Sequence, residues 1–355
     1  GTIMLYSASW YESFLSTNGS TEMFFLKNHL KRLLIGSIFL VGFLLIDYRA
    51  LKQVAPYLII FSLLLLVLTK ALYLINGYSW YKPARWLSVG SFGFQTSDIA
   101  RFSILIFMAY YVDKQRDVIQ NFQNGLLPAL IILFLIMSLI IIQPDYSTAI
   151  MIGFLGMLIL FIGGAKISQI LLTCSTALLI GIPVLLSREY RKERVLSFFG
   201  IGDNPDVGYQ AHQSLISLGN GGLFGTGLGN SIEKNHFLPT PHTDFIFAII
   251  GEELGFLIGT VPVLTLFLLI FFQGIKIAKN CNDPFGIFLS IGIVSNLILY
   301  AFVNAAVVTG LLPVTGLPMP MVSYGGSGMI INMSLIGILL NISQAKRVIG
   351  DKGWL

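Results

Sequence analysis

Three acidic side chains lie in or beside one long apolar run, where a charge needs either a partner or a chemical role. Asp244 opens the run in TDFIFAIIGEELGF, and Glu252 and Glu253 follow inside it. At the edge of the run, Asp244 fits either a helix N-cap, worth about 1 kcal/mol, or a carboxylate that removes a proton from a substrate. A carboxylate deep in a spanning helix costs on the order of 2.5 to 3.5 kcal/mol, so Glu252 and Glu253 indicate either a polar cavity or an ion pair that locks two helices.

A second apolar run begins with an acidic and a basic residue. Asp98 and Arg101 are three residues apart in SDIARFSILIF, a spacing that makes them neighbours on one helix face. Arg101 is also a candidate partner for Glu252. A structural ion pair and a direct role in binding remain equally open for Asp98 and Arg101.

Cations occur in two further segments that contain aromatic or acidic neighbours. Arg85 and Trp86 lie in KPARW, and Arg191 and Arg194 lie in SREYRKERVLSF. Guanidinium groups bind phosphate through paired N–H donors, which makes these three arginines, together with Arg101, candidate phosphate ligands. The alternatives are a solvated, charge-rich surface helix and a tryptophan that anchors the chain at a membrane interface.

Several familiar kinds of site are not indicated. The glycine-rich stretch 218–230 matches neither phosphate-loop pattern and fits close backbone approach or a flexible lid. Cys174 and Cys281 are too few and too far apart to indicate a disulfide framework or a metal site. The widely spaced histidines form no metal motif, and no nucleic-acid partner is expected.

The elements that must position these residues are membrane helices. The composition is 55% hydrophobic and only 11% charged, and about 20 apolar residues are needed to cross a hydrocarbon core. The sequence predicts an all-α, polytopic transmembrane bundle in a single membrane domain, residues 1–355. A kink is expected at Pro262, and residues 1–9 are interpreted as the end of a truncated first helix. The nine complete spans are predicted near residues 30–47, 54–75, 97–112, 126–142, 146–164, 167–187, 244–273, 285–308 and 327–343.

Three polar insertions separate these spans: 76–96, 188–243 and 309–328. If the spans alternate in direction, all three insertions lie on one membrane face. Lysine and arginine divide evenly between the two faces, so they do not decide the orientation. A face that keeps so many cations indicates either an anionic ligand or contact with solvent and lipid headgroups.

Five ordered motifs resemble the SEDS family (shape, elongation, division and sporulation), which includes FtsW, RodA and SpoVE. They are ARWLSVGSFGFQTSDIAR, QPDYSTA, GYQAHQSLISLGNGGLFGTGLGN, FLPTPHTDFIFAIIGEELG and GLLPVTGLPMPMVSYGGSG. The resemblance covers essentially the whole chain. KPARW and YRKERVLSF favour an FtsW-like member, whereas GLLPVTGLPMP is more similar to RodA.

The resemblance implies a ten-helix fold in the bacterial cytoplasmic membrane, with cytoplasmic termini and extracytoplasmic insertions. It also implies polymerisation of lipid II into glycan strands, with Asp244 matching the essential aspartate of the family's HTDFIFA motif. Asp98 and Arg101 match an acidic and basic pair that is more usually Glu and Lys, and Thr96 stands where Pro is usual. QPDYSTA and YGGSG depart mildly from the commoner QPDLGTA and YGGSS, which affects the detail of the cavity and not the class of reaction.

The motifs also define a candidate set of substrate-binding residues and partners. The set comprises Arg85, Trp86, Asp98, Arg101, Arg191, Arg194, Gln210, Gln213, His242, Thr243, Ser323 and Tyr324. The implied partners are lipid II, membrane lipids and a class B penicillin-binding protein that cross-links the strands. No cofactor is certain; a divalent cation, Mg²⁺ or Mn²⁺, could accompany the substrate diphosphate. The alternative functions are a lipid II flippase and a non-catalytic scaffold for a transpeptidase.

Overall fold

The computed structural model describes residues 1–75, 85–89, 92–187, 189–201, 205–235 and 237–351. Within these ranges the side chains of residues 89, 92, 189–191, 205–207 and 345–351 are not described. The whole of the 76–84 segment, including the lysine of KPARW, and His236 therefore lie outside the described residues. Arg191 is described only as part of a helix.

The described residues form thirteen α-helices, one short hairpin and two π-helical turns. The helices are α1 (Thr2–Ser16), α2 (Phe24–Leu45), α3 (Arg49–Ile75), α4 (Thr96–Lys114), α5 (Leu127–Ile142), α6 (Tyr146–Ile162), α7 (Ile167–Leu186), α8 (Glu189–Phe198), α9 (Pro205–Gly221), α10 (Ile246–Gly255), α11 (Val261–Asn280), α12 (Pro284–Val308) and α13 (Ser327–Asp351). The π-helical turns are Phe122–Leu126 and Phe256–Thr260. The all-α prediction is confirmed.

The exception to the helical architecture is an antiparallel hairpin between β1 (Trp86–Val89) and β2 (Phe92–Gln95). Trp86 pairs with Gln95, and β2 leads directly into α4. The sequence predicted only an irregular polar insertion here. The hairpin matters because it fixes Arg85 and Trp86 at the start of α4.

Seven helical stretches among the described residues are long and apolar enough to cross a membrane. They are Phe24–Leu45, Arg49–Ile75, Phe122–Ile142, Ile167–Leu186, Ile246–Asn280, Pro284–Val308 and Ser327–Gln344. The other two predicted spans also form helices, but α6 has only 17 residues and α4 carries Asp98 and Arg101. The count of nine spans therefore stays a prediction.

The helix predicted over residues 244–273 is longer than expected and is interrupted at Gly255. That residue has φ +77°, a left-handed conformation that glycine adopts without strain. A π-helical turn follows, and α11 begins just before Pro262. The kink expected at Pro262 thus lies one to two turns earlier, because Gly255 and the π turn supply the irregularity.

The chain divides into two compact units. Unit 1 comprises residues 1–34, 178–270 and 297–325, and its core surrounds α10, with Leu5, Phe245, Phe247 and Ile249 fully enclosed. Unit 2 comprises residues 35–177, 271–296 and 326–355. In unit 2, α5 and α6 pack closely because Gly153 and Gly156 leave space for Met137 and Leu133.

Candidate active site

Asp244 lies in the turn that precedes α10 and does not cap that helix. The N-cap is Phe245, without a side-chain cap hydrogen bond. The Thr243 hydroxyl donates to Asp244 Oδ1 at 2.7 Å. The N-cap alternative is therefore wrong, and Asp244 as a residue is partly exposed.

Asn304, on α12, links the backbone of Asp244 to the loop that follows α12. Its amide nitrogen donates to Asp244 O at 2.7 Å and to Leu317 O at 2.8 Å. The loop 309–326 is thereby held beside Asp244. Gly316 lies so close that an added Cβ would be 3.8 Å from Asp244 Oδ2.

Two predicted site residues, His242 and Tyr324, form an aromatic cluster next to Asp244. Tyr324 N donates to His242 O at 2.8 Å, and their rings meet edge to face at 5.4 Å. His242 also packs on Phe25 at 4.3 Å, with its Nδ1 3.0 Å from Glu12 Oε2. Both residues therefore shape the turn that carries Asp244.

Of the other predicted residues of unit 1, two contact the loop beside Asp244 and two lie on α9. Arg194 Nη1 donates to Val314 O at 3.2 Å, which brings the arginine to the loop that borders Asp244. The Ser323 hydroxyl accepts from Met319 N at 2.8 Å and closes a turn of the same loop. Gln210 and Gln213 are partly exposed on α9.

Unit 2 contains a second polar cluster, and the sequence did not identify its central residue. Asp145 is buried and accepts from Gln95 Nε2 at 2.7 Å and from Ser97 Oγ at 2.8 Å, with Arg85 Nη1 at 3.7 Å. Asp145 belongs to the QPDYSTA motif, so the motif could have identified it as a candidate site residue. The sequence analysis did not select Asp145, because an aspartate after a proline at the start of an apolar run is ordinarily explained as a helix cap.

The predicted pair on α4 belongs to the same cluster. Arg101 Nη2 lies 3.1 Å from Asp98 Oδ1, which confirms the i, i+3 pairing, and Ser327 Oγ donates to Asp98 Oδ2 at 2.7 Å. Ser327 also accepts from Gln95 N at 2.9 Å. Trp86 is partly exposed and would touch a Cβ added at Gly326 at 3.0 Å.

Glu252 and Glu253 are fully buried in unit 1 and hydrogen-bonded, with partners other than those expected. Glu252 accepts from Ser217 Oγ at 2.9 Å, from Ser231 Oγ at 2.6 Å and from the backbone N of Ile232 at 2.9 Å. The sequence suggested Arg101 as the partner of Glu252. In the structure, Glu252 accepts from hydroxyl and backbone N–H donors of unit 1. The two glutamates therefore support the structural alternative.

Glu253 forms a buried ion pair with Lys234, a lysine of the polar insertion 188–243. Lys234 Nζ lies 2.6 Å from Glu253 Oε1 and also donates to Gly229 O at 2.7 Å. Ser7 Oγ donates to the same carboxylate at 2.6 Å. Lys234 is thus removed from the set of cations available to an anionic ligand.

Among the described residues, no group of three or more His, Cys, Asp or Glu side chains is placed to hold a metal ion. The chemical groups described around Asp244 include the Thr243 hydroxyl and the Asn304 amide. The loop and the aromatic cluster beside it add the Glu12 carboxylate and the guanidinium groups of Arg194 and Arg32. Such an arrangement fits proton removal from a hydroxyl beside a negatively charged leaving group.

The fold and this site define a multi-pass membrane protein with a partly exposed aspartate at the end of a helix. The family model for FtsW, RodA and SpoVE, described as cell cycle protein, matches residues 1–348. The chain belongs to this family.

Relatives and solved structures agree with that assignment over nearly the whole chain. The "Probable peptidoglycan glycosyltransferase FtsW" of Geobacter sulfurreducens is 36% identical over 347 residues, covering 97% of this chain and 91% of the relative. The stage V sporulation protein E of Bacillus subtilis is 36% identical over 350 residues, covering 98% and 94%. A chain solved in work on "Structural coordination of polymerization and crosslinking by a peptidoglycan synthase complex" is similar with a TM-score of 0.74 at 25% identity, covering 97% of each chain.

Proposed function

We propose that this protein is a peptidoglycan glycosyltransferase that polymerises lipid II at the outer face of the bacterial cytoplasmic membrane. The proposal rests on the environment of Asp244, which is partly exposed and does not cap α10. Membership of the FtsW, RodA and SpoVE family and the names of the relatives support the same reaction.

In the proposed reaction, Asp244 removes the proton from the 4-hydroxyl of the acceptor GlcNAc as that oxygen attacks C1 of the donor MurNAc. The bond from C1 to the polyprenyl diphosphate breaks in the same step, and the anomeric centre inverts. General-base help of this kind is typically worth about 10²- to 10⁴-fold in rate. Thr243, through its 2.7 Å hydrogen bond, orients the carboxylate.

The leaving diphosphate needs a cation near the loop that borders Asp244. Arg194, on α8, contacts this loop through its hydrogen bond to Val314 O. A guanidinium group binds phosphate oxygens through paired N–H donors. A divalent ion carried by the diphosphate remains part of the proposal as a component of the substrate.

The test compares Asp244→Asn with Asp117→Asn, an exposed aspartate in the loop after α4. Purified, reconstituted Asp244→Asn should polymerise lipid II about 10²- to 10⁴-fold more slowly, because the amide cannot accept the proton. Asp117→Asn should match the wild type. Strand synthesis at the wild-type rate by folded Asp244→Asn would eliminate Asp244 as the base.

The proposal includes a class B penicillin-binding protein as partner, because the similar solved chain comes from a complex described as coordinating polymerization and crosslinking. The same Asp244→Asn variant tests both the partnership with a transpeptidase and the scaffold alternative. A complex of the variant with such a transpeptidase should still assemble but make no new strands. Full strand synthesis by that complex would assign polymerisation to the partner and leave this chain a scaffold.

A flippase needs polar groups along the full depth of the membrane. In this structure Glu252 and Glu253 are enclosed by their own hydrogen bonds, and Asp98 and Arg101 pair with each other near the start of α4. These contacts favour polymerase chemistry at one end of the helices over a transport path.

A further inference from the structure

The long insertion between α7 and α10 contains an uncharged, apolar end. Residues 207–232 include no Asp, Glu, Lys or Arg, although both flanking segments are rich in them. The turn that follows α9, residues 222–230, is here called the tip. Its three large apolar side chains are exposed: Leu223 by 56%, Phe224 by 69% and Leu228 by 58%.

Several backbone groups of the tip are hydrogen-bonded, either within the tip or to α10 and the turn that follows it. The N–H groups of Thr226 and Gly227 donate to the carbonyls of Glu252 and Glu253, both at 2.9 Å. Gly225 N and Asn230 N donate to Gly221 O and Gly227 O within the tip and its helix. Lys234 Nζ donates to Gly229 O at 2.7 Å. Chain that contacts hydrocarbon must satisfy its backbone groups internally, and much of the tip meets this condition.

The tip is continuous with an exposed face of the membrane helix. Phe256 N donates to Gly222 O at 2.9 Å, and Leu257 N donates to Leu223 O at 3.0 Å. Phe256, Leu257 and Ile258 are themselves about half exposed. The exposed apolar residues of the tip and of this turn therefore form one surface.

The length of this helical stretch indicates where the bilayer ends. After the break at Gly255, the stretch from Phe256 to Asn280 has 25 residues, about 37 Å at 1.5 Å per residue, which is enough to cross a hydrocarbon core about 30 Å thick without α10. If the part from Phe256 onward spans the membrane, α10 stands outside the hydrocarbon. The tip then lies at the boundary of the bilayer.

We propose that the tip inserts Leu223, Phe224 and Leu228 into the hydrocarbon of the adjacent leaflet, at the level of Phe256–Ile258. Glu252 and Glu253 then lie at the headgroup level and not in mid-membrane. Asp244, two residues before the start of α10, then lies on the water side of the boundary. This inference does not depend on the proposed function, since it concerns only the position of the chain in a bilayer.

Spin labels report the position directly. The full chain, with Cys174→Ser and Cys281→Ser, is labelled at Phe224→Cys or Leu228→Cys and reconstituted into phosphatidylcholine and phosphatidylglycerol vesicles. Thr240→Cys, exposed at the other end of α10 in the same insertion, is the matched control. Collision with oxygen, which concentrates in hydrocarbon, is compared with collision with a water-soluble nickel chelate.

Labels at 224 and 228 should collide several-fold more with oxygen than with the chelate, and the label at 240 should show the reverse. Two tip positions are used so that misfolding of one variant leaves the other informative. Collision with the chelate at 224 and 228 equal to that at 240 would place the tip in water and overturn the proposal. Exclusion of both reagents from the tip would show that protein, such as a second copy of this chain, covers it, and would also overturn the proposal.

Discussion

The buried contact between Lys234 and Glu253 illustrates how much a single charge depends on its partner. Both side chains are almost completely enclosed, and their charged atoms are 2.6 Å apart. Removing one member of a buried ion pair leaves the other charge uncompensated, which typically costs about 3 to 5 kcal/mol. We expect Lys234→Met to lower the unfolding free energy by that amount in detergent denaturation.

Lys192→Met is the control, because Lys192 is exposed on α8 and its loss should be nearly neutral. The double variant Lys234→Met with Glu253→Leu should recover much of the lost stability, since neither charge remains buried. A single variant as stable as the wild type would show that the pair contributes nothing.

Glu233 predicts a dependence of stability on pH. Burial, and secondarily the negative charge of Glu252, raises the pKa of the Glu233 carboxyl above its ordinary value. A raised carboxyl pKa adds stability at low pH that is lost as pH rises through the folded-state pKa. Glu233→Gln should therefore melt at a higher temperature than wild type at neutral pH, with the difference vanishing near pH 4. A difference that is constant with pH would contradict this account.

At the residue scale, the sequence predicted contacts between near neighbours and missed distant ones. Asp98 and Arg101 were predictable because a three-residue spacing on a helix brings side chains together. The pair of Lys234 and Glu253 was not predicted, because the two residues lie on different elements and their contact is tertiary. The proximity of Arg194 to the loop beside Asp244 likewise depends on a tertiary contact.

At the scale of elements, the docking of the tip against α10 depends on two glycines. A Cβ at Gly225 would collide with the Glu253 carbonyl, and Gly225 has φ +82°. Gly255 faces it, so that a Cβ there would collide with Gly225 N. We expect Gly225→Ala to destabilise the protein by on the order of 1 to 3 kcal/mol, measured by thermal unfolding.

Gly219→Ala is the matched control for that substitution. Gly219 lies in α9, and a Cβ there would meet nothing within 4 Å. Alanine should stabilise the helix by about 0.5 to 1 kcal/mol. Equal effects of the two substitutions would mean that the close approach at Gly225 has no energetic importance.

The sequence predicted where most helices lie, because long apolar runs report membrane helices directly. It did not predict the hairpin at Trp86–Gln95 or the break at Gly255. The hairpin depends on hydrogen bonds between two short strands, and the break at Gly255 is stabilised by hydrogen bonds to the distant residues 222 and 223. Hydrophobic periodicity encodes neither. Pro262 gave the stronger local signal, but it lies at the start of α11, where proline is tolerated.

For the whole molecule, the succession of helices predicts which loops share a membrane face. Three predicted spans, α5, α6 and α7, separate the loop at Arg116 from the insertion that contains Thr240. In cells that express the Cys174→Ser, Cys281→Ser background, Thr240→Cys should react with a membrane-impermeant maleimide. Arg116→Cys should react only after permeabilisation. The opposite result would place Asp244 on the cytoplasmic side and contradict the proposed location of the reaction.

The pairing of Asp98 with Arg101 has a consequence for how the protein is made. Because the two charges lie one turn apart on α4 and neutralise each other, the segment carries its own counter-charge as it leaves the ribosome. Paired charges of this kind lower the cost of placing the predicted span α4 in lipid, because neither charge needs a partner from a helix that is synthesised later.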